Sequence, residues 1–365
     1  MLLLYPFTSG VGELLFNLSS WATGFYGVEI FFILSGFLIG NIFIKNVVFN
    51  CQEQTQKLLI SDFWMRRWVR TLPNYFLFLL INFILIPIAP DTAIESHLIV
   101  KYLFFAQSIF PHTSSFYGVS WSLAVEEWFY LLLPVLFIGC TIFFRNRAKA
   151  FFVAMLLLLL LPTLLKVTYA IGLPLYSELE AVFHYSTFYK LDSIFYGLLL
   201  SWLWTREASK KWLIAHKKLL LLLGIGGILS SFVFAFLFVV KPIQNSVLMI
   251  SFATLTSVSI ALFFPFLYEW QVRESRFTKS VTFISLISYS LYLVHVPVIN
   301  IYKYCSKTFF WQSDFVVSFT AFVILNLTSV FIAFIIYKKF ELPVLAYRDR
   351  IGKLLADGIR KLDLA

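Results

Sequence analysis

The sequence predicts an all-α polytopic membrane protein with about nine transmembrane helices. Three observations carry this expectation. Hydrophobic residues make up 60% of the 365-residue chain and charged residues only 13%, against the ~25% charge of an ordinary soluble domain. Nine apolar runs approach or exceed the roughly twenty residues needed to cross a ~30 Å hydrocarbon core. Most of the Lys and Arg residues fall in alternate loops between those runs.

Taken in order, the runs lie near 22–44, 72–90, 123–144, 150–171, 187–204, 218–240, 246–268, 283–303 and 315–337. Residues 1–7 form an apolar stub too short to span, and the start lacks the basic region and cleavage site of a signal peptide. Segment 98–110 reads as a short amphipathic piece lying at the interface. The loops at 45–71, 145–149, 206–218 and 273–279 and the tail after 337 are basic, whereas 91–122 and 172–186 are acidic or nearly neutral. By the positive-inside rule the basic loops and the C-terminus face the cytosol. That pattern accounts for the net charge of +10 without nucleic acid, for which no compact basic module or binding motif is present. Cys51, Cys140 and Cys305 are widely spaced and suggest structural thiols rather than a disulfide framework or a zinc site. No HExxH or other paired-ligand spacing points to a metal.

Ionisable residues inside apolar runs are costly and are therefore the places to look for chemistry. Glu126 and Glu127 lie near the start of run 123–144. With Ser122 as the N-cap, the helix dipole could hold them. Alternatively, Glu126, which shares a face with Ser122 and Tyr130, could act as a base toward a hydroxyl or orient a histidine. Arg66, Arg67 and Arg70 precede Pro73 at a cytosolic helix start. Arg67 and Arg70 are spaced to share a helix face and to offer two planar forks to a phosphate, although plain membrane anchoring would use the same residues. A Gly-rich phosphate loop is absent, which excludes a P-loop nucleotidase. Glu29 stands seven residues into run 22–44, followed by Ser35 and Gly36, and needs a cation or a cavity. His295 lies mid-run in SYSLYLVHVPV, where a hydrogen bond to a neighbouring helix would satisfy it. His184 and Asp192 flank the outer end of run 187–204, where the KLD triplet of Lys190 and Asp192 reads as an interfacial ion pair.

Six segments now stand in one order: GVEIFFILSGFLI, RRWVRTLPNY, WSLAVEEWFYLLLP, KLDSIFYGLL, SYSLYLVHVPV and FELPVLAYRDR. Together they resemble the acyltransferase-3 family of membrane O-acyltransferases over nearly the whole chain. The resemblance implies a ten-helix membrane domain, here residues 1–345 followed by a basic tail at 346–365. It implies transfer of an acyl group, usually acetyl, from acyl-coenzyme A to a hydroxyl of an extracytoplasmic glycan or lipid-linked acceptor. The setting would be the bacterial inner membrane, with membrane lipid around the domain and no tightly bound cofactor. By the same resemblance Arg67 and Arg70 match a pair that engages coenzyme A phosphates. Glu126 and His295 match family motif positions, and Glu29 stands where an Asp is usual. Ser35, Ser122 and Asp192 are supporting candidates. The family's first helix carries a catalytic histidine. LLLYPFTSG places Pro6 at that position, so the chain is expected to lack helix 1.

Two other classes of function are compatible with the residues alone. One is a non-catalytic membrane protein on this scaffold that binds a glycan or lipid-linked precursor. The other is a transporter, suggested by intramembrane acids but lacking broken-helix pairs in matching halves.

Overall fold

A computed structural model describes residues 11–49, 56–88, 96–109, 116–171, 185–240, 246–309, 315–348 and 350. Eleven α-helices account for almost all of them, and no strand occurs among the described residues. They are α1 (Val11–Phe43), α2 (Gln56–Ile84), α3 (Ser96–Leu103), α4 (Ser120–Phe143), α5 (Arg147–Ile171) and α6 (Thr187–Trp204). After them come α7 (Glu207–Ala215), α8 (Lys217–Val240), α9 (Ser246–Tyr268), α10 (Arg276–Phe309) and α11 (Phe315–Ile336). A π-helical turn, Ile44–Phe49, extends α1, and another, Tyr337–Glu341, extends α11. The fold is an all-α polytopic membrane fold.

Each of the nine predicted runs is a helix. Seven helices are long and apolar enough by composition to cross a membrane among the described residues. The other two, α2 and α6, carry their polar residues into the interior. Asn74 and Asn82 of α2 and Lys190, Asp192, Ser193 and Ser201 of α6 are all buried. The boundaries differ from the expectation at two places. The basic stretch before residue 72 is the first half of α2 rather than loop, because Lys, Arg and Gln are good helix formers and Asp62 supports Arg66 one turn on. Residues 207–215 likewise form the short helix α7. Pro6, Cys51, His112, His184 and the tail beyond 350 lie outside the described residues.

Two apolar cores meet on α4. Val125, Phe129, Leu133 and Phe137 pack with residues of α1, α5 and α6. Leu123 and Ala124 pack instead with Tyr75, Phe78, Leu293 and Val294 of α2 and α10. Cys140 is buried with the first core, as expected of a structural thiol, whereas Cys305 is exposed. α6 is the central pillar, packed on α1, α4, α5 and α9. Its approach to α1 is close. A Cβ at Gly36 would overlap the Ile194 carbonyl oxygen, and one at Gly197 would overlap the Ile33 carbonyl oxygen. Small residues on both faces let the two backbones touch. The outward faces of α8 and α11 are apolar, with Leu222, Leu229, Val233, Leu327 and Phe331 all exposed. Surfaces of this kind suit lipid.

Candidate functional site

The site is built outward from α4. Both of its acids lie in the second turn, beyond the reach of the helix N-terminus, so the helix dipole does not account for them. The N-cap is Val119, not Ser122, and it makes no side-chain cap bond. Ser122 sits inside the first turn. Its hydroxyl donates to the Val119 carbonyl at 3.2 Å and bonds the Tyr292 hydroxyl of α10 at 2.6 Å. Having a partner across the interface, it is not available as a cap.

Neighbouring residues on a helix point about 100° apart, and the two carboxylates accordingly face different helices. Glu126 faces α1 and accepts hydrogen bonds at Oε1 from the Ser35 hydroxyl and from the Tyr130 hydroxyl one turn along α4. Glu127 faces α2 and accepts from Thr71 Oγ1 at 2.5 Å. Its other oxygen, Oε2, is buried and meets no hydrogen-bond partner. A buried carboxylate oxygen left unpaired is costly. The Trp68 side chain also stands close to the Glu127 carboxylate.

The arginines approach the acids from one helical turn away along α2. Arg66 is held by Asp62 through bonds of 2.7 and 2.9 Å. Arg67 is half-buried and lies within electrostatic reach of Glu126, Tyr130, Arg70 and Arg348. Its Nε is buried without a hydrogen-bond partner. Arg70 is exposed. Arg67 thus stands within electrostatic reach of both α4 acids.

Glu29 is directed elsewhere. It is fully buried, ion-paired with Lys190 of α6, and accepts from Ser257 of α9 at 2.8 Å. Asp192 pairs with Lys166 of α5 at 2.5 Å. The KLD triplet is therefore not an interfacial ion pair. Its two charges point to different helices because residues two apart on a helix lie on different faces. Lys166, in a leucine-rich run, was the missed partner. A lone Lys in such a run is itself a signal.

His295 is half-buried, with its ring 5.7 Å from that of Tyr292. The ring faces the backbone of Tyr292 and Leu291 in the preceding turn of α10. The Tyr292 hydroxyl in turn bonds Ser122 and the Val119 carbonyl of the α4 start. A further acid escaped the sequence reading. Glu341 is buried and accepts from Asn74 Nδ2 at 3.1 Å and from Ser290 Oγ at 2.7 Å. Tyr289 of α10 donates to the Thr71 carbonyl at 2.7 Å, which completes the fastening of α10 to α2. Among the described residues no group of three or more His, Cys, Asp or Glu could hold a metal ion.

The arrangement sets two buried carboxylates beside hydroxyls of α1 and α2, with a cation one turn away. Comparison with known proteins places it in context. A family model described as an acyltransferase domain, acyltransferase-3, matches residues 1–338. The O-acetyltransferase OatA of Staphylococcus aureus strain NCTC 8325 is 27% identical over 315 residues, covering 79% of this chain and 48% of that protein. The peptidoglycan O-acetyltransferase OatA of Listeria monocytogenes is 27% identical over 304 residues, covering 77% of this chain and 46% of that protein. The chain thus spans about half the length of the curated relatives it matches. No solved structure matches it significantly.

Proposed function

The chain belongs to the acyltransferase-3 family, and from that premise we propose that it transfers an acyl group, acetyl in the simplest case, to a hydroxyl of an extracytoplasmic envelope glycan. The relatives' printed activities, O-acetyl transfer and in one case O-acetyl transfer on peptidoglycan, support a glycan or its lipid-linked precursor as acceptor. The donor is acyl-coenzyme A, reached from the cytosol. The protein sits in the cytoplasmic membrane with its C-terminus inside, the orientation the alternating basic loops favour. In that orientation the acids lie about 10 Å below the outer end of α4, given a rise of ~1.5 Å per residue.

The observation that carries the reading is Arg67, within electrostatic reach of both carboxylates and of a second guanidinium. In this mechanism Glu127 Oε2 accepts the proton of the acceptor hydroxyl as its oxygen attacks the thioester carbonyl. A carbon–oxygen bond forms and the carbon–sulfur bond breaks. The proton then passes to the departing thiolate, giving free coenzyme A. Arg70 with Arg67 holds the donor phosphates. Glu126, fixed by Ser35 and Tyr130, keeps Arg67 in position. Glu29 and Asp192 neutralise the lysines of the scaffold. His295 and Ser122 flank the acceptor side through Tyr292.

The test uses the full chain in lipid nanodiscs with acetyl-coenzyme A labelled on the acetyl group and peptidoglycan fragments as acceptor. Wild type should label the fragments, and the double variant Arg67→Ala/Arg70→Ala should not. Unchanged labelling by the double variant would sink the reading.

A further inference from the structure

Two tryptophans of α2 border the arginine pair and have no role in the mechanism above. Trp64 packs against the first core and donates its indole N–H to the Tyr130 carbonyl of α4 at 2.9 Å. Trp68 lies one turn further along the same face. Its ring rests flat on that of Trp64, with the centroids 5.9 Å apart and the planes only 7° from parallel. This is an offset stack, an arrangement that aromatic pairs favour. Trp64 is therefore a fixed base plate, and it sets the plane in which the Trp68 indole stands. Trp68 itself is 36% exposed, so its ring is backed but not enclosed.

The neighbouring charges indicate what fits on that ring. Arg67 follows Trp64 by three residues and precedes Arg70 by three, so the indole pair and the guanidinium pair occupy adjoining strips of one helix. Arg70 is exposed and Arg67 half-buried, whereas Arg66 is already neutralised by Asp62. A tryptophan that only anchored the chain at the membrane surface would need neither a stacked partner nor flanking guanidiniums. A flat aromatic surface beside two planar forks matches a ligand that joins a planar heterocycle to phosphate. Bases stack on aromatic rings through their π faces, and guanidiniums take phosphate oxygens in pairs. Coenzyme A carries both parts on one ribose, an adenine and phosphates at the 3′ and 5′ positions.

We propose that Trp68, backed by Trp64, is the platform on which the adenine ring of the donor nucleotide stacks while Arg67 and Arg70 hold its phosphates. The inference rests on the donor reading given above and adds a base-recognising surface to it.

The measurement is equilibrium binding to the full chain in phosphatidylcholine nanodiscs at fixed ionic strength. The probes are adenosine 3′,5′-bisphosphate, coenzyme A and, as a phosphate without a base, inorganic pyrophosphate. Trp68→Ala should weaken the two adenine probes about 5- to 100-fold, the range for one base stacked on an aromatic ring, and leave pyrophosphate within about 2-fold. Trp68→Phe, which keeps a stacking face, should recover most of that loss. Trp68→Leu, which keeps bulk but has no π face, should bind as poorly as Trp68→Ala. Thermal unfolding of each variant checks the fold, and Trp68→Leu carries the test if Trp68→Ala does not fold. Trp212→Ala, a change at another exposed tryptophan, should leave every probe within about 2-fold. If Trp68→Ala and Trp68→Leu bind the adenine probes like wild type while Arg67→Ala/Arg70→Ala binds no probe, the platform is overturned and the donor reading stands. Trp68 would then be a headgroup anchor. Equal weakening of pyrophosphate and the adenine probes would mean that the indole only positions the arginines, and would also overturn the platform. If wild type binds the bisphosphate through Trp68 but ignores coenzyme A, the adenine platform stands and the donor reading falls. Failure of wild type to bind any probe would overturn both.

Discussion

Replacing Glu29 with Gln should cost the fold more than any surface change, and the amount can be reasoned from its surroundings. Glu29 and Lys190 are buried, and Glu29 is the ammonium's ion-pair partner. The Gln amide keeps a carbonyl for the Ser257 hydroxyl, so that bond survives. The negative charge is lost and Lys190 is left unpaired in an apolar interior. Removing one partner of a buried pair costs about 3–5 kcal/mol. Lys190 also lies 5.0 Å from the centre of the Phe25 ring. A desolvated cation–π contact is worth about 2 kcal/mol at most, so it cannot make good the loss. Lys190→Met should cost a similar amount, because it strands the carboxylate instead. The double variant Glu29→Gln/Lys190→Met carries no buried charge and should recover to within about 1–2 kcal/mol of wild type, since replacing a whole buried pair is often near neutral. The assay is reversible unfolding by detergent titration in mixed micelles, arranged as a double-mutant cycle. Single costs under about 1 kcal/mol, or two costs that simply add, would refute the claim that this pair is coupled. The same variants divide scaffold from chemistry. If stability returns in the double variant and acyl transfer does not, Glu29 has a part in the reaction beyond neutralising Lys190.

Two further outcomes follow from particular contacts. Glu127→Gln keeps an acceptor for Thr71 and should leave unfolding nearly unchanged while lowering kcat about 10²- to 10⁴-fold, the range for a lost general base; steady-state transfer kinetics at saturating donor would show a normal rate if Glu127 is only structural. Gly197→Leu should prevent accumulation of folded protein, because its Cβ meets the Ile33 backbone, with the Phe37 nitrogen 2.9 Å away, and backbone cannot step aside. Gly24→Ala, with open space around it, should stay within about 0.5 kcal/mol of wild type, as measured by size-exclusion profiles after heating.

The helices were readable in the sequence because lipid imposes length and polarity on each run independently of its neighbours. The contact of Glu126 with Tyr130 was readable for a related reason, since i and i+4 share a face within one helix. What spacing cannot supply is the partner across an interface. Nothing local to Glu126 points to Ser35, nothing local to Asp192 points to Lys166, and nothing local to Glu341 points to Asn74. For the same reason the sequence does not tell that Glu126 meets α1 and Glu127 meets α2, which depends on packing between two cores. The lysine–acid pairs left a usable trace, because a lone Lys in a leucine run demands an acid somewhere.

The paired charges of α6 also bear on how the chain enters the bilayer during synthesis. Alone, α6 would present both Lys190 and Asp192 to lipid, at a cost of about 2.5–3.5 kcal/mol for each charge near mid-depth and less near an end. Asp192 has its counter-charge in α5, the span that leaves the ribosome just before it, so those two can enter as one helical hairpin. Lys190 finds its partner in α1, which has by then been waiting in the membrane through four intervening helices with Glu29 unmatched. The arrival of α6 is therefore the step that closes the N-terminal half. Until then α1 has reason to linger beside the translocation machinery rather than disperse into lipid.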